Sequence, residues 1–196
     1  MFDVEHFLES KKMTIINNFS TYKQETGHTC NLAVLRSLYN YFTDKDIAEK
    51  DIAKNFFLDR IIYPRSFFQR YFHQICPEYQ MKKRENLSCE NILAIIEDQL
   101  HQNMPVPFIN TAEFIQNQKK FGILHFAIIV GIDHNKEIAY ISDSNPNDYR
   151  NQITFNELFD RMAFKMHQDD RLMAKLAIGL SFLKKNTIFE IKKKKF

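Results

Sequence analysis

Tyr22-Lys23-Gln24-Glu25-Thr26-Gly27-His28-Thr29-Cys30-Asn31-Leu32-Ala33 is the stretch on which the reading of the chain turns, because here a thiol stands where a helix begins. After Cys30 the apolar positions Leu32, Leu35, Leu38, Tyr39 and Phe42 recur at three- and four-residue spacing, the period of an amphipathic helix packed on a core, and Gly27 and Thr29 mark its entry. A thiol in the first turn faces the positive end of the helix dipole and its unpaired N–H groups, which favour the thiolate, the reactive form. Gln24, on the loop that feeds the helix, carries an amide donor; with the backbone N–H of Cys30 it makes an oxyanion hole for whatever the sulfur attacks. Taken alone, a single cysteine is more often a small buried hydrophobe.

A second stretch raises the first above that. Leu124-His125-Phe126-Ala127-Ile128-Ile129-Val130-Gly131-Ile132 and Glu137-Ile138-Ala139-Tyr140-Ile141-Ser142-Asp143 are β-rich runs on either side of the polar Asp133-His134-Asn135-Lys136, so they form a hairpin. A register centred on His134 sets His125 directly opposite Asp143, with Cβ atoms about 4.5–5.5 Å apart. A carboxylate beside an imidazole fixes its tautomer and supports the imidazolium, the orienter and base of a triad. His6, His28, His73, His101, His134 and His167 fall on expected helices, turns or loops with no such partner. His28, two residues before Cys30, lines the same cleft but is poorly placed as an in-line base.

Gln24, Cys30 on a helix, His125 on a strand and Asp143 at the end of the next strand, in that order, resemble the papain-like cysteine peptidase superfamily. Within it the chain is similar to the compact bacterial branch of double-glycine leader peptidases and phytochelatin synthases: Cys30-Asn31-Leu32-Ala33 is like the Cys-Gly-Leu-Ala of the latter, and the segment from Asp143 to Tyr149 leading into a helix at Phe155–Met162 extends the likeness over residues 20–165. Asn31 stands where those families usually carry Gly, and Pro146 about where phytochelatin synthases carry Arg. The resemblance implies a Cys30-His125-Asp143 triad with Gln24 in the oxyanion hole, no cofactor and no metal. It also implies cleavage of a peptide, isopeptide or γ-glutamyl amide through a thioester, by hydrolysis or acyl transfer. A phytochelatin-synthase-like processing of glutathione, or a binding module on the same scaffold without turnover, is the alternative. The partner is then a peptide, a protein or a small thiol-peptide.

Composition narrows the class. At 196 residues, 44% hydrophobic and 26% charged, the chain has the make-up of one globular domain, and nineteen Phe with no Trp imply an aromatic core. The net charge of +3 comes from the end: residues 184–196 hold six Lys and one Glu, which leaves 21 basic and 23 acidic groups before them. The body therefore shows no basic excess for nucleic acid, and Lys192–Lys195 form a basic tail that reads as a charged guard on an edge strand or a frayed end ahead of an attraction to an anionic membrane. Cys30, Cys76 and Cys89 are too widely spaced for a disulfide framework or a zinc site, which suits a reducing, cytoplasmic compartment. No export signal is legible near Met1 and no apolar run is long enough to span a bilayer, although delivery by a secretion system leaves no such mark.

The expected architecture is α+β and papain-like, one domain over 1–196 with a helical half at about 1–103, a sheet half at about 104–192 and the basic tail at 192–196. Helices are expected within 2–20 (anchored by Phe7, Leu8, Ile15 and Ile16), at Asp46–Phe57, from Ser66 to Pro77 and from Ser88 to His101. Pro105–Ile109 reads as a strand followed by a polar linker. Thr154-Phe155-Asn156-Glu157 is a capping box, and Lys175–Lys184 with Thr187–Lys192 a closing hairpin turning at Lys185-Asn186.

Overall fold

The computed structural model describes residues 13–26, 29–54, 68–116, 119–145, 151–164 and 184–195, with backbone alone at 113–116 and 119–123. In chain order the elements are β1 (Thr14–Ile15), α1 (Cys30–Thr43), α2 (Glu49–Ala53), α3 (Phe68–Ile75), β2 (Tyr79–Arg84), α4 (Cys89–His101), β3 (Val106–Gln116), β4 (Lys119–Asp133), β5 (Ile138–Asp143), β6 (Gln152–Thr154), α5 (Phe155–Met162) and β7 (Ile188–Lys193). The strands make one antiparallel sheet in the order β2-β7-β3-β4-β5-β6, with β1 also paired to β4. Helices and an antiparallel sheet in one packed body make the fold α+β.

The apolar run in β4 is nearly continuous because both faces of the strand are covered. Leu124, Phe126 and Ile128 join Leu32, Leu35 and Leu38 of α1, Ile52 of α2 and Phe68 and Phe72 of α3 in one cluster. Ala127, Ile129 and Ile132 join Ile92, Ile96 and Leu100 of α4 and Leu158 and Met162 of α5 in another. Phe68 anchors the first cluster, its ring centroid 4.8 Å from Phe126 and 4.9 Å from Phe189, contacts that add about 0.5–1.5 kcal/mol each beyond burial. Side-chain caps start the helices of the second: Ser88 Oγ accepts from Asn91 N and Thr154 Oγ1 from Glu157 N. Among the described residues no helix is long and apolar enough to cross a membrane.

The structure departs from the sequence reading at several elements. Residues 14–15 are strand, not helix: Ile16 N donates to Val130 O at 2.7 Å and Ile16 is buried, whereas Ile15 is exposed; residues 2–12 of the expected helix lie outside the described residues. Gly131 permits this docking, since a Cβ there would stand 2.8 Å from Ile15 Cγ1 and 2.9 Å from Thr14 O. The strand at Pro105 continues to Gln116, so the polar linker is the arm of a β3–β4 hairpin. α2 begins only at Glu49, because Asp46 is drawn to the Arg36 guanidinium at 2.7 and 2.8 Å. β2 and β6 add two strands to those expected from the sequence; β2 lies in the segment before residue 104 yet pairs along its whole length with β7. Of the closing hairpin, 175–183 lie outside the described residues, and β7 runs between β2 and β3 with Asn186 in the left-handed region at φ 52°.

Candidate active site

Cys30 is the first residue of α1 and is half-buried. The Thr29 side chain does not cap this helix; its hydroxyl turns back to Thr26 O, and the ladder starts with Leu32 N and Ala33 N on Thr29 O. The N–H of Cys30 thus lies in the turn whose N–H groups the helix ladder does not use. His28 is outside the described residues.

His125 and Asp143 meet, but not in the register expected from the sequence. Asp143 lies opposite Ala127, so it is the diagonal neighbour of His125 rather than its direct partner. The turn is centred between Asn135 and Lys136 rather than on His134, since Asp133 pairs with Ile138, and a bulge at Val130, where Ile129 and Gly131 pair with the consecutive Ile141 and Tyr140, takes back one residue of that shift. Continued without that bulge, the pairing of Asp133 with Ile138 would bring Asp143 to Ile128, one residue out of phase and on the opposite face from His125. With it, the two side chains share a face, and His125 Nε2 is 2.6 Å from Asp143 Oδ1 with both side chains 3% exposed. Asn145 N donates to the same Oδ1 at 2.7 Å.

Electrostatics follow from these contacts. Burial alone would lower the imidazole pKa, but the hydrogen bond to Asp143, then hydrogen bonding to Cys30 and the charges of both, outweigh it and raise it to about 10. Since Nε2 is engaged by Asp143, Nδ1 is the ring nitrogen left to face the sulfur. Gln24 is tied to the strand beyond Asp143: its N–H donates to Ser144 O at 3.1 Å and its Oε1 accepts from the Ser144 hydroxyl at 3.4 Å. That leaves the Gln24 amide NH₂ as the donor end. Thr21 Oγ1 with Ser142 Oγ, Tyr22 N on Ser37 Oγ and Lys23 Nζ on Asn145 O complete the stitching of the Gln24 loop to β5 and α1.

The structure therefore brings Gln24, Cys30, His125 and Asp143 into one region, while His73 and His134 have other partners, His101 ends α4, and His6 and His167 lie outside the described residues. His73 Nε2 accepts from Met81 N, and its pKa is lowered, chiefly by burial. His134 pairs with Glu97 at 2.7 Å, and Asp133 caps its own turn by accepting from Asn135 N and Lys136 N. Among the described residues no three His, Cys, Asp or Glu side chains are grouped to hold a metal. Burial pushes the Cys76 thiol up to about 12, while Cys89 is exposed at the start of α4. Ser144 and Asn145, which hold Gln24 and Asp143, escaped the sequence reading; the polar run Ser142-Asp143-Ser144-Asn145 after an apolar strand was the available signal.

A model of the Peptidase_C39-like family matches residues 16–166, which takes in all four of these residues. The chain belongs to that family. The Peptidase_C39-like chain also superposes on the peptidase domain of Streptococcus ComA, a bifunctional ABC transporter involved in quorum sensing, with TM-score 0.57 and 7% identity over 90% of this chain and 100% of that one. A double-glycine-motif protease from an AMS/PCAT transporter, solved in complex with the leader peptide, gives TM-score 0.52 and 12% identity over 89% and 91%. None of the curated proteins is a match. The fold is that of the papain-like cysteine peptidases, and the family is cysteine peptidase-like.

Proposed function

We propose that the chain is a single-domain cysteine peptidase that cleaves an amide bond through a thioester on Cys30, with Cys30, His125 and Asp143 as its triad. The observation that carries the reading is the buried His125 imidazole, hydrogen-bonded to the Asp143 carboxylate and to a thiol at a helix N-terminus. The Cys30 thiolate, paired with the His125 imidazolium, attacks the carbonyl carbon, and the oxyanion takes hydrogen bonds from the Gln24 amide and the Cys30 N–H. His125 gives its proton to the leaving amine as the C–N bond breaks. It then takes one from the water that attacks the thioester, which frees the acid and restores the thiol. Asp143 keeps Nε2 protonated throughout, so the ring does not change tautomer. A free thiol requires a reducing environment.

The substrate we propose is a peptide or protein with small residues before the scissile bond, the class named by the double-glycine protease of similar fold. Intact-mass spectra during turnover test this. A peptide carrying Gly-Gly ahead of the cleaved bond is expected to leave its acyl half on Cys30 and to be processed faster than glutathione, with no adduct in Cys30→Ala. Fast glycine release from glutathione with a γ-glutamyl-cysteinyl adduct would overturn the substrate class. Absence of an adduct from any acyl donor, with Cys30 reduced, would make the chain a binding module.

A further inference from the structure

Glu49 opens α2 and is only 2% exposed, a depth at which a carboxylate is expensive unless it has partners. One oxygen, Oε2, is buried with no hydrogen-bond partner among the described residues. The other, Oε1, accepts the backbone N–H of Glu25 at 3.1 Å, the residue that follows Gln24. Desolvation raises its pKa, opposed in part by the hydrogen bond from the Glu25 N–H. A buried side chain of α2 therefore holds the chain next to Gln24, one of the two oxyanion donors. Arg36 of α1 reinforces the Glu25 end, reaching Glu25 Oε1 at 3.3 Å and Asp46 at 2.7 Å. An acid retained at this cost, when an apolar residue would fill the space, marks a demand other than stability.

We propose that Glu49 is a positioning residue that holds the Gln24 half of the oxyanion hole in place, fastening the Gln24 loop to α2 without touching substrate. This rests on the peptidase reading above. Its consequence is selective: reactions that build a tetrahedral oxyanion need Glu49, and displacement at the sulfur alone does not.

Two probes separate these. Acetyl-glycyl-glycinal adds reversibly to the thiol: the S–C bond forms, the carbonyl π bond opens, and the thiol proton passes to the new oxygen, which sits in the oxyanion hole. Iodoacetamide alkylates the sulfur by displacing iodide and uses no such hole. Glu49→Leu keeps the volume and removes the acceptor. It is expected to weaken aldehyde binding roughly tenfold, part of the 10²–10³ that loss of one donor costs. The alkylation rate of Cys30 should stay within about twofold and the melting temperature should not fall, because a buried charge has been replaced by a hydrophobe. The Glu25 amide should exchange with solvent faster, and Glu49→Gln, which keeps Oε1, should restore both exchange and aldehyde affinity. Unchanged aldehyde affinity and Glu25 exchange in Glu49→Leu would overturn the proposal, as would an equal loss in both reactions. If the wild-type Cys30 forms neither adduct, the peptidase reading itself falls and takes this proposal with it; if it forms both and Glu49→Leu alters neither, only this proposal falls.

Discussion

Asp143→Asn removes a charge while leaving every neighbouring atom nearly in place, and the geometry sets how much activity should go with it. Asp143 Oδ1 lies between two donors, His125 Nε2 at 2.6 Å and Asn145 N at 2.7 Å. The Asn145 N–H has no acceptor capacity, so the replacing amide must keep its oxygen at that position. Its NH₂ then occupies the place of Oδ2, which is already buried without a hydrogen-bond partner among the described residues. His125 therefore keeps its proton on Nε2 and its Nδ1 toward Cys30, and the wrong-tautomer loss of about 10⁴ known from other triads should not arise. What is lost is the difference between a charge-assisted and a neutral hydrogen bond, about 1–2 kcal/mol, or roughly 5- to 30-fold. The assay is the rate of Cys30 alkylation by iodoacetamide at pH 6, followed by mass spectrometry so that Cys76 and Cys89 serve as internal references. Asp133→Asn, in a turn away from the pair, should stay within about twofold. A loss of a thousandfold or more would mean that Asn145 does not fix the oxygen, and no loss at all would mean that the Asp143 charge plays no part in activating the thiol.

Three further outcomes are expected. His125 is raised to about 10 from its ordinary value near 6.5, so its favourable pairing is fully present below pH of about 6.5 and is lost as pH climbs through about 10; melts between pH 7 and 10 should decline, and decline less in Asp143→Asn, whereas equal slopes would refute the assignment. Gln24→Ala should cost about 10²–10³ in amide cleavage with little change in Cys30 alkylation, and a parallel loss in both would remove Gln24 from the oxyanion hole. Gly131→Ala should destabilise the fold by about 1–3 kcal/mol in a thermal melt, because its Cβ meets Ile15 and the Thr14 carbonyl, and an unchanged melt would show that β1 is free to move aside.

Which parts of this were legible in the sequence depends on the distance over which each signal acts. The period of Leu32, Leu35 and Leu38 and the caps at Ser88 and Thr154 are local, and α1, α4 and α5 appear where these place them. β2 and β6 are short, alternate imperfectly and are strands only because β7 and β5 lie beside them, so nothing in their own residues announces them. The encounter of His125 with Asp143 is intermediate. The order of the residues and the apolar arms of the hairpin predict that the two strands pair, but side chains meet only if the number of residues between them has the right parity, and a bulge changes that parity. The Val130 bulge has a neighbour visible only in three dimensions: Val130 O accepts Ile16 N, and Gly131 beside it makes room for Thr14 and Ile15, so β1 occupies the flank of β4 where its pairing with β3 ends. A contact between a segment near the N-terminus and a strand more than a hundred residues later therefore accompanies the irregularity that turns Asp143 toward His125. The parity that sets His125 against Asp143 is a property of the assembled sheet, which is why Gly131 and Ile16, neither of them near that pair by sequence, belong to its physical explanation.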